Sequence, residues 1–404
     1  MSQDSFIRQN YRIYPTKEQA KFLAQDMGNQ RFIWNYFLGK SIERYELEKK
    51  FYFFIEMTKQ LPDMKQDENF AFLKIGNSQS LQVTCETLSK ALSDSFKSTK
   101  NKVRKGFPKF KKKFGSGSVV YPQHVKLVDG KLRIPKLKSD IKIAGGYDLP
   151  KKYFSVTITR SASGNFYASF VVPIQVPDKV EINSNSKAVG IDLNSQHIMV
   201  LDDGSAVINP KHLLAKEKRL KRYQRAFSRK QKGSANKNKA RVKLAKLHEK
   251  VANSRKDFVE KLTLDIARNN DIIVIEDLNV KAMQKWNGRM IQSAPFGAIR
   301  SKLTWKANKL GKHLVVIDRF TPTSKVCSEC GQIHELGLKT RWLSCDCGAE
   351  MHRDHNAAIN ILNAGLRNIE AGTAFEACGE TKVHDLSNEI RWVSLKQEDA
   401  TSLA

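Results

Sequence analysis

Apolar positions recur along this chain with three different periods, and each period predicts a different kind of element. Phe6 to Tyr14 alternates and holds aromatics, the pattern of a half-buried strand. Thr16 and Gln19 then form a capping-box pair, with Ala20, Leu23 and Met27 at helical spacing behind them. Helical patterning continues to about Lys105 and includes Leu81 to Phe96. Val119 to Val176 instead breaks into short β-rich runs, Lys131 to Ile134, Phe154 to Thr159 and Phe166 to Val172, with turn signals at Asp129-Gly130 and Ser163-Gly164. These predict a small barrel or sandwich that the upstream strand would complete, leaving the helices as an insertion.

After a polar stretch from Pro177 to Asn185 that reads as a linker, the third pattern starts. Ala188 to Asp192 and Ile272 to Glu276 are apolar runs that each end in an acid, and Leu314 to Ile317 is a third apolar run. Unbroken apolarity over so short a span fits strands covered on both faces. A hairpin follows the first run, Ile198 to Leu201 and Ala206 to Ile208 about Asp202-Asp203-Gly204. Leu213, Leu220, Tyr223 and Phe227, then Val242, Leu244, Leu247 and Val251, stripe a helical hairpin that turns near Gly233-Ser234. From Glu370 to Ala404 the chain is polar and acidic with little periodicity, and is expected to be a disordered tail.

Charge narrows the function. The 404 residues carry 70 Lys or Arg against 41 Asp or Glu, a formal net charge of +29. An excess of that size does not suit an ordinary enzyme of metabolites; it attracts phosphate backbones and gains affinity by releasing counterions. Much of it sits in the helical hairpin, where Lys211 to Lys256 holds eighteen basic residues against two Glu. A solvated helix face mixes signs and this one does not, so nucleic-acid contact is expected there, at Arg222, Arg225 and Arg229. The basic and aromatic run Gly106 to Lys113, with Lys109 and Lys111, reads as a linker touching phosphate. No apolar run approaches the roughly 20 residues of a membrane span, and Met1 to Asn10 lack the order of a signal peptide. A cytoplasmic protein without membrane contact is expected.

Four of the six cysteines, Cys327, Cys330, Cys345 and Cys347, fall in two close pairs joined by a loop, the spacing of one structural zinc ion held by four thiolates. The second pair is C-x-C and needs a tight turn, for which Gly348 supplies the backbone freedom. Cys85, in a helical pattern, and Cys378, in the tail, are not expected to be ligands.

Asp192 and Glu276 end buried strands, so their carboxylates are expected at a sheet rim, and Asp354 opens a helix-forming run just past the cysteines. Singly, each has an ordinary reading as a turn residue, an ion-pair partner of a lysine or a helix cap. Converging, they would hold two Mg²⁺ ions through oxygen for hydrolysis of a phosphodiester.

Val189 to Asn194 (VGIDLN), Ile275 to Asn279 (IEDLN), Ser324 to Gly331 and His352 to Ala358 (HRDHNAA) resemble the TnpB (OrfB) proteins of insertion sequences, as do Tyr14 to Gln19 and Gly106 to Phe110. The resemblance runs from about residue 6 to 366. It implies an α+β multidomain protein: an RNase H-like (RuvC) nuclease domain at 186–320 and 350–368, an inserted zinc ribbon at 321–349, a β-barrel wedge domain at 1–14 and 115–180, a helical recognition domain at 15–114 and a tail at 369–404. It also implies a nuclease related to type V CRISPR effectors, guided by RNA made from the transposon end. Asp192, Glu276 and Asp354 would be its metal-binding catalytic acids, cutting double-stranded DNA beside a short motif. Gln79, Gln82, Tyr121 and Gln123 fall in the motif-reading region by rough matching, and Gln suits adenine. Two other readings remain open from the sequence, a DDE-type transposase that needs no RNA and a non-enzymatic nucleic-acid binder whose acids are structural.

Overall fold

In a computed structural model of the chain, residues 4–96, 106–113, 115–145, 148–337, 340–372 and 392–394 are described. The chain divides into two compact units, 6–173 and 174–404 with the first five residues. No helix among the described residues is long and apolar enough to cross a membrane.

The first unit opens with β1 (Asp4–Tyr14) and α1 (Lys17–Glu48), which Thr16 and Gln19 start with a reciprocal capping box. Next come α2 (Phe54–Gln66), a 3₁₀ turn (Glu68–Lys74) and α3 (Ser78–Phe96). The strands follow: β2 (Gly117–Tyr121), β3 (Lys126–Val128), β4 (Lys131–Arg133), β5 (Ile141–Ile143), β6 (Val156–Arg160) and β7 (Phe166–Gln175). They form one sheet in the order β2-β6-β7-β1-β5-β4-β3, so β1 sits at its centre although it precedes the helices in sequence. One core takes Val119 and Tyr121 from one end of that order and Leu132, near the other, together with Leu23 and Met27 of α1. A sheet whose ends share a core must bend around it, as a half-barrel. The helices have their own core, from Phe37 and Leu38 to Leu81 and Leu88.

The second unit holds β8 (Ala188–Asp192), β9 (His197–Leu201), β10 (Ser205–Ile208), α4 (Leu214–Ser228) and α5 (Ala235–Asn269). Ser234 caps α5, accepting from the Lys237 amide, so the basic helices turn where Gly233-Ser234 signalled. Then come β11 (Ile272–Glu276), α6 (Val280–Ser293), α7 (Phe296–Lys309), β12 (His313–Ile317), β13 (Trp342–Ser344), β14 (Glu350–His352), α8 (Arg353–Glu370) and β15 (Trp392–Ser394). The sheet order is β12-β11-β8-β9-β10-β15, with β12, β11 and β8 parallel and the others antiparallel.

Alternate residues of the parallel strands face opposite layers. Ile272, Val274, Val315 and Ile317 pack under α8 against Ile361 and Ala364, while Ile273, Ile275, Leu314 and Val316 pack against α5 and α7. Burial on both faces is why these strands read as unbroken apolar runs. Most of the tail expected to be disordered lies outside the described residues; within its bounds α8 continues to Glu370 and Trp392–Ser394 pairs antiparallel with β10.

Candidate functional site

Two acids arrive at one sheet edge because of strand register. Ile275 pairs with Ile191 in the parallel ladder, so the next residues, Glu276 and Asp192, end adjacent strands whose backbones lie about 4.8 Å apart. The third acid comes with α8. A Cβ on Gly190 would stand 2.2 Å from the Ala358 carbonyl oxygen and 2.7 Å from Leu362 Cβ. Only glycine lets α8 lie this close on β8. Asp354 is one turn ahead of Ala358, in the first turn of α8, where free amides favour a carboxylate.

Asn194 joins two of these acids. Its amide nitrogen donates to Asp354 Oδ2 at 2.8 Å and to Asp192 Oδ2 at 3.3 Å. Its oxygen accepts from the backbone amides of Gln196 (3.1 Å) and His197 (2.8 Å), so the orientation of the side chain is fixed by partners on both ends. Glu276 Oε1 accepts from the Thr323 hydroxyl at 2.9 Å, and His352 Nδ1, which caps α8 by accepting from the Asp354 amide, lies 3.8 Å from Asp354 Oδ2.

The electrostatics of this edge disfavour bare carboxylates. Burial first, then the charge of Asp354, push Asp192 up to about 7, with Asn194 opposing and Glu276 adding to the rise. Burial also raises Glu276 against the pull of Thr323. Arg353 is the cation that favours the charged form of Asp192, though its guanidinium is committed to the Gly337 carbonyl (2.9 Å) and the Ser324 hydroxyl (3.2 Å). The neighbouring Asp277 is paired with Arg300 and Arg319, so it is not part of the acidic cluster.

The four cysteines form the tightest cluster of potential metal ligands among the described residues, with all four sulfurs within 4.8 Å of one another; the acids are more loosely grouped. Cys327 and Cys347 sulfurs are 3.7 Å apart and those of Cys330 and Cys345 3.5 Å. Disulfide sulfurs would be about 2.05 Å apart. The edge of a tetrahedron with metal–sulfur bonds of ~2.3 Å is about 3.8 Å, so the spacing fits one tetrahedral ion such as zinc. Cys327 with Cys330, and Cys345 with Cys347, each lie on a knuckle closed by a backbone hydrogen bond, Gly331 amide to Cys327 carbonyl (3.0 Å) and Gly348 amide to Cys345 carbonyl (2.9 Å), with both glycines at positive φ. Burial resists ionisation of Cys327, but the amides of Cys330 and Glu329 and the sulfurs of Cys347 and Cys345 together bring the thiol down to about 7.

This module is fastened to the helix that carries Asp354. Asn356, fully buried, donates to the Val326 carbonyl (2.7 Å) and accepts from the Ser328 amide (2.9 Å), and Asn360 donates to the carbonyls of Thr323 (2.8 Å) and Val326 (2.7 Å). The segment from Thr323 to Ser328 therefore touches Glu276, the first knuckle and α8 together. Asn194, Thr323 and Asn356 had no individual role in the sequence reading. The one usable local signal was an Asn two residues past a strand-ending acid.

The residues expected to touch nucleic acid are scattered. Arg222, Arg225 and Arg229 are exposed on α4 and just beyond it. Lys109 is exposed, while Lys111 sets its ammonium 3.7 Å from the centre of the Trp34 ring, where desolvation lowers its pKa. Gln82 and Gln123 are exposed, and half-buried Gln79 donates to Gln123 at 3.2 Å. Tyr121 does not face solvent: it is 0% exposed and its hydroxyl donates to Asp26 Oδ2 at 2.8 Å, which makes it a core residue of the half-barrel.

Fold and site together define a multidomain α+β protein in which a zinc-type cysteine module is fused to a carboxylate-bearing sheet edge. Family models described as "Probable transposase", "Cas12f1-like, TNB domain" and "Helix-turn-helix domain" match residues 170–287, 296–361 and 7–50. A Streptomyces pristinaespiralis protein named "Putative RNA-guided DNA endonuclease" is 34% identical over 403 residues, covering 98% of this chain and 96% of its own. An Escherichia coli K12 protein, "Putative RNA-guided DNA endonuclease InsQ", is 29% identical over 92% of this chain and 93% of its own. The chain belongs to the TnpB (OrfB) family. A solved Cas12f1-sgRNA-target DNA complex aligns over 86% of this chain and 83% of its own at 14% identity and a TM-score of 0.49. The segment matched by the helix-turn-helix model is one strand and one 32-residue helix here.

Proposed function

We propose that this protein is an RNA-guided DNA endonuclease of an insertion sequence, with an RNase H-like (RuvC) domain whose acids Asp192, Glu276 and Asp354 form the hydrolytic centre. The observation that carries this reading is the shared sheet edge: Asp192 and Glu276 end adjacent parallel strands, and Asn194 ties Asp192 to Asp354. The names of the full-length relatives supply the nucleic acids, a guide RNA and target DNA. The net charge of +29 and the exposed arginines of α4 suit both.

The donor set fits Mg²⁺. Oxygen ligands suit a hard cation, and the carboxylates of Asp192 and Glu276, which their surroundings push toward the protonated form, are relieved by one. Asp192, Glu276 and Asp354 would hold two such ions, which when bound would supply activation of water and neutralisation of charge on the phosphodiester. The chain's own part is positional. Asn194 and Thr323 hold the carboxylates by hydrogen bonds, and the four-cysteine module is fastened to the helix that carries Asp354. The finer assignments belong to the same proposal: a guide transcribed from the transposon end, a short motif beside the target, a wedge and a recognition domain in the first unit, and work in the cytoplasm.

The test is to purify the protein with co-expressed RNA and offer matched duplex DNA with Mg²⁺. Cutting that needs the guide match and is abolished by Asp192→Ala supports the reading; cutting indifferent to RNase treatment or to Asp192 overturns it. The transposase description of the matched family model favours a second reading, strand transfer at transposon ends. That reading predicts joined rather than hydrolysed products and no need for RNA.

A further inference from the structure

Three irregularities of the chain meet at the foot of α4. The ladder between β9 and β10 pairs Ala206 with Val200 and Val207 with Met199, then slips so that Ile208 pairs with His197. Lys211 holds φ at +48°, a left-handed conformation uncommon outside glycine. Between them stands Asn209, a polar side chain only 4% exposed. Bulges and strained residues cost stability and recur beside functional sites, where they re-aim a side chain.

Asn209 is aimed at the loop that follows Asp192. Its Nδ2 donates to the Ser195 carbonyl at 3.1 Å, and its backbone amide to the Gln196 carbonyl at 3.2 Å. Its Oδ1 accepts from the Lys211 amide at 3.0 Å, which fixes the end of the side chain that faces the loop. The far side of this tie is anchored in turn, because the ring of His212 packs on Phe258 of α5 with centroids 6.0 Å apart. Gln196 and His197 donate their amides to Asn194 Oδ1, and Asn194 donates to Asp192 and Asp354. Hydrogen bonds and two short stretches of backbone thus connect the foot of α4 to two of the three acids. The bond to the Lys211 amide closes a local turn; the bonds to Ser195 and Gln196 hold a different loop, the one that carries Asn194. We propose that Asn209 is a positioning residue of the acidic edge: it holds the 194–197 loop so that Asn194 presents its amide to Asp192 and Asp354, and it thereby sets how tightly the edge takes a divalent cation. This role rests on the reading of the acids as a cation site.

The experiment uses the protein purified with its RNA and follows amide hydrogen exchange by mass spectrometry across a Mg²⁺ titration, in the peptide at 352–358 that opens α8 and carries Asp354. Mg²⁺ should slow exchange there in the wild type, and Asp192→Ala should remove the effect. Asn209→Ser keeps an acceptor for the Lys211 amide, as a serine hydroxyl two residues earlier can, but is too short to reach the Ser195 carbonyl. It should raise the Mg²⁺ midpoint about fivefold, the worth of one neutral hydrogen bond, with a thermal midpoint near wild type. Because Asn209 acts through Asn194, the same substitution in an Asn194→Ala background should move the midpoint less than about twofold, whereas a merely structural role would give independent effects that multiply. Multiplying effects, a midpoint in Asn209→Ser that stays with the wild type, or no Mg²⁺ effect on exchange in the wild type overturns the proposal. The readout needs no cleavage. A protein that shows the expected pattern yet never cuts DNA would defeat the nuclease reading and leave the role of Asn209 standing, and guided cutting that needs Asp192 beside an Mg²⁺ midpoint indifferent to Asn209 would do the reverse.

Discussion

Asn194 is the side chain on which the geometry of the acidic edge turns, and its removal makes a quantitative prediction. In Asn194→Ala the two donations to Asp354 (2.8 Å) and Asp192 (3.3 Å) are lost. A hydrogen bond to a charged group is worth about 1.5–3 kcal/mol, and the longer of these two counts for less, so the pair contributes about 2–3 kcal/mol to holding the carboxylates in place. If that arrangement is needed in the transition state, single-turnover cleavage of matched DNA at saturating Mg²⁺ falls ~30–150-fold.

The same substitution also removes the acceptor for the Gln196 and His197 amides, so loss of the turn must be separated from loss of the bridge. Asn194→Ser does this. A serine hydroxyl can still accept from a backbone amide two or three residues on, but it is too short to span two carboxylates. The expected pattern is a thermal midpoint near wild type in Asn194→Ser with cleavage still reduced by at least tenfold. Cleavage within threefold of wild type in Asn194→Ala, at equal guide-RNA occupancy, would refute the argument that this amide organises the site.

Elemental analysis should find one zinc per chain, and Cys345→Ser should lower the melting temperature and cleavage together, because the first knuckle shares the Thr323–Ser328 segment with Glu276 and α8; a zinc-free protein with full cleavage would contradict this. Replacing Arg222, Arg225 and Arg229 by Gln should reduce the log–log salt slope of nucleic-acid binding by about 2 to 3 while leaving stability within ~0.5 kcal/mol, as exposed positions allow; an unchanged slope would remove α4 from the interface. Burial raises the pKa of Asp26, beside Tyr121, so this group's own contribution to the stability of the first unit is full below the unfolded carboxyl value of ~3.9 and is lost as pH rises through the shifted value. Asp26→Asn should therefore gain on the parent as pH is raised, in urea melts at pH 4.5 and 7.5, and a constant difference would refute it. Gly190→Ala should cost more than ~3 kcal/mol or prevent folding, since its Cβ meets backbone of α8 that cannot move alone; a soluble, active variant would show that α8 sits farther from β8.

The parts of this molecule that could be read from sequence are those whose structural cause is local. Ala188 to Asp192 and Ile272 to Glu276 announce themselves because both faces of each strand are covered, so every position but the last is apolar. The cysteines do so because a knuckle is a short-range object. Parts that depend on distant partners were silent. β2, β3 and β5 are three to five residues long with few apolar positions each, too short for a period to emerge. α7 hides its helical stripe because Lys306 is fully buried, neutralised by Glu260 of α5, and a buried lysine looks like a surface position until its partner is known. Tyr121 is a second case of a distant partner deciding a residue's place. The family resemblance places it in the motif-reading region, whereas its hydroxyl is held by the Asp26 carboxylate, 95 positions earlier, inside the half-barrel core.

The acidic edge combines both kinds of information. Each acid sits at the end of a locally legible element, but what makes them one site is non-local: the register between β8 and β11, a glycine that admits α8, and an amide bridging 160 residues. Asp192 and Glu276 are half-buried carboxylates at the ends of adjacent strands, and their surroundings resist the ionisation of both. Asn194 and Thr323 spend their donors on the acids of this edge rather than on the backbone of their own elements, which is how a site is built for a ligand rather than for stability.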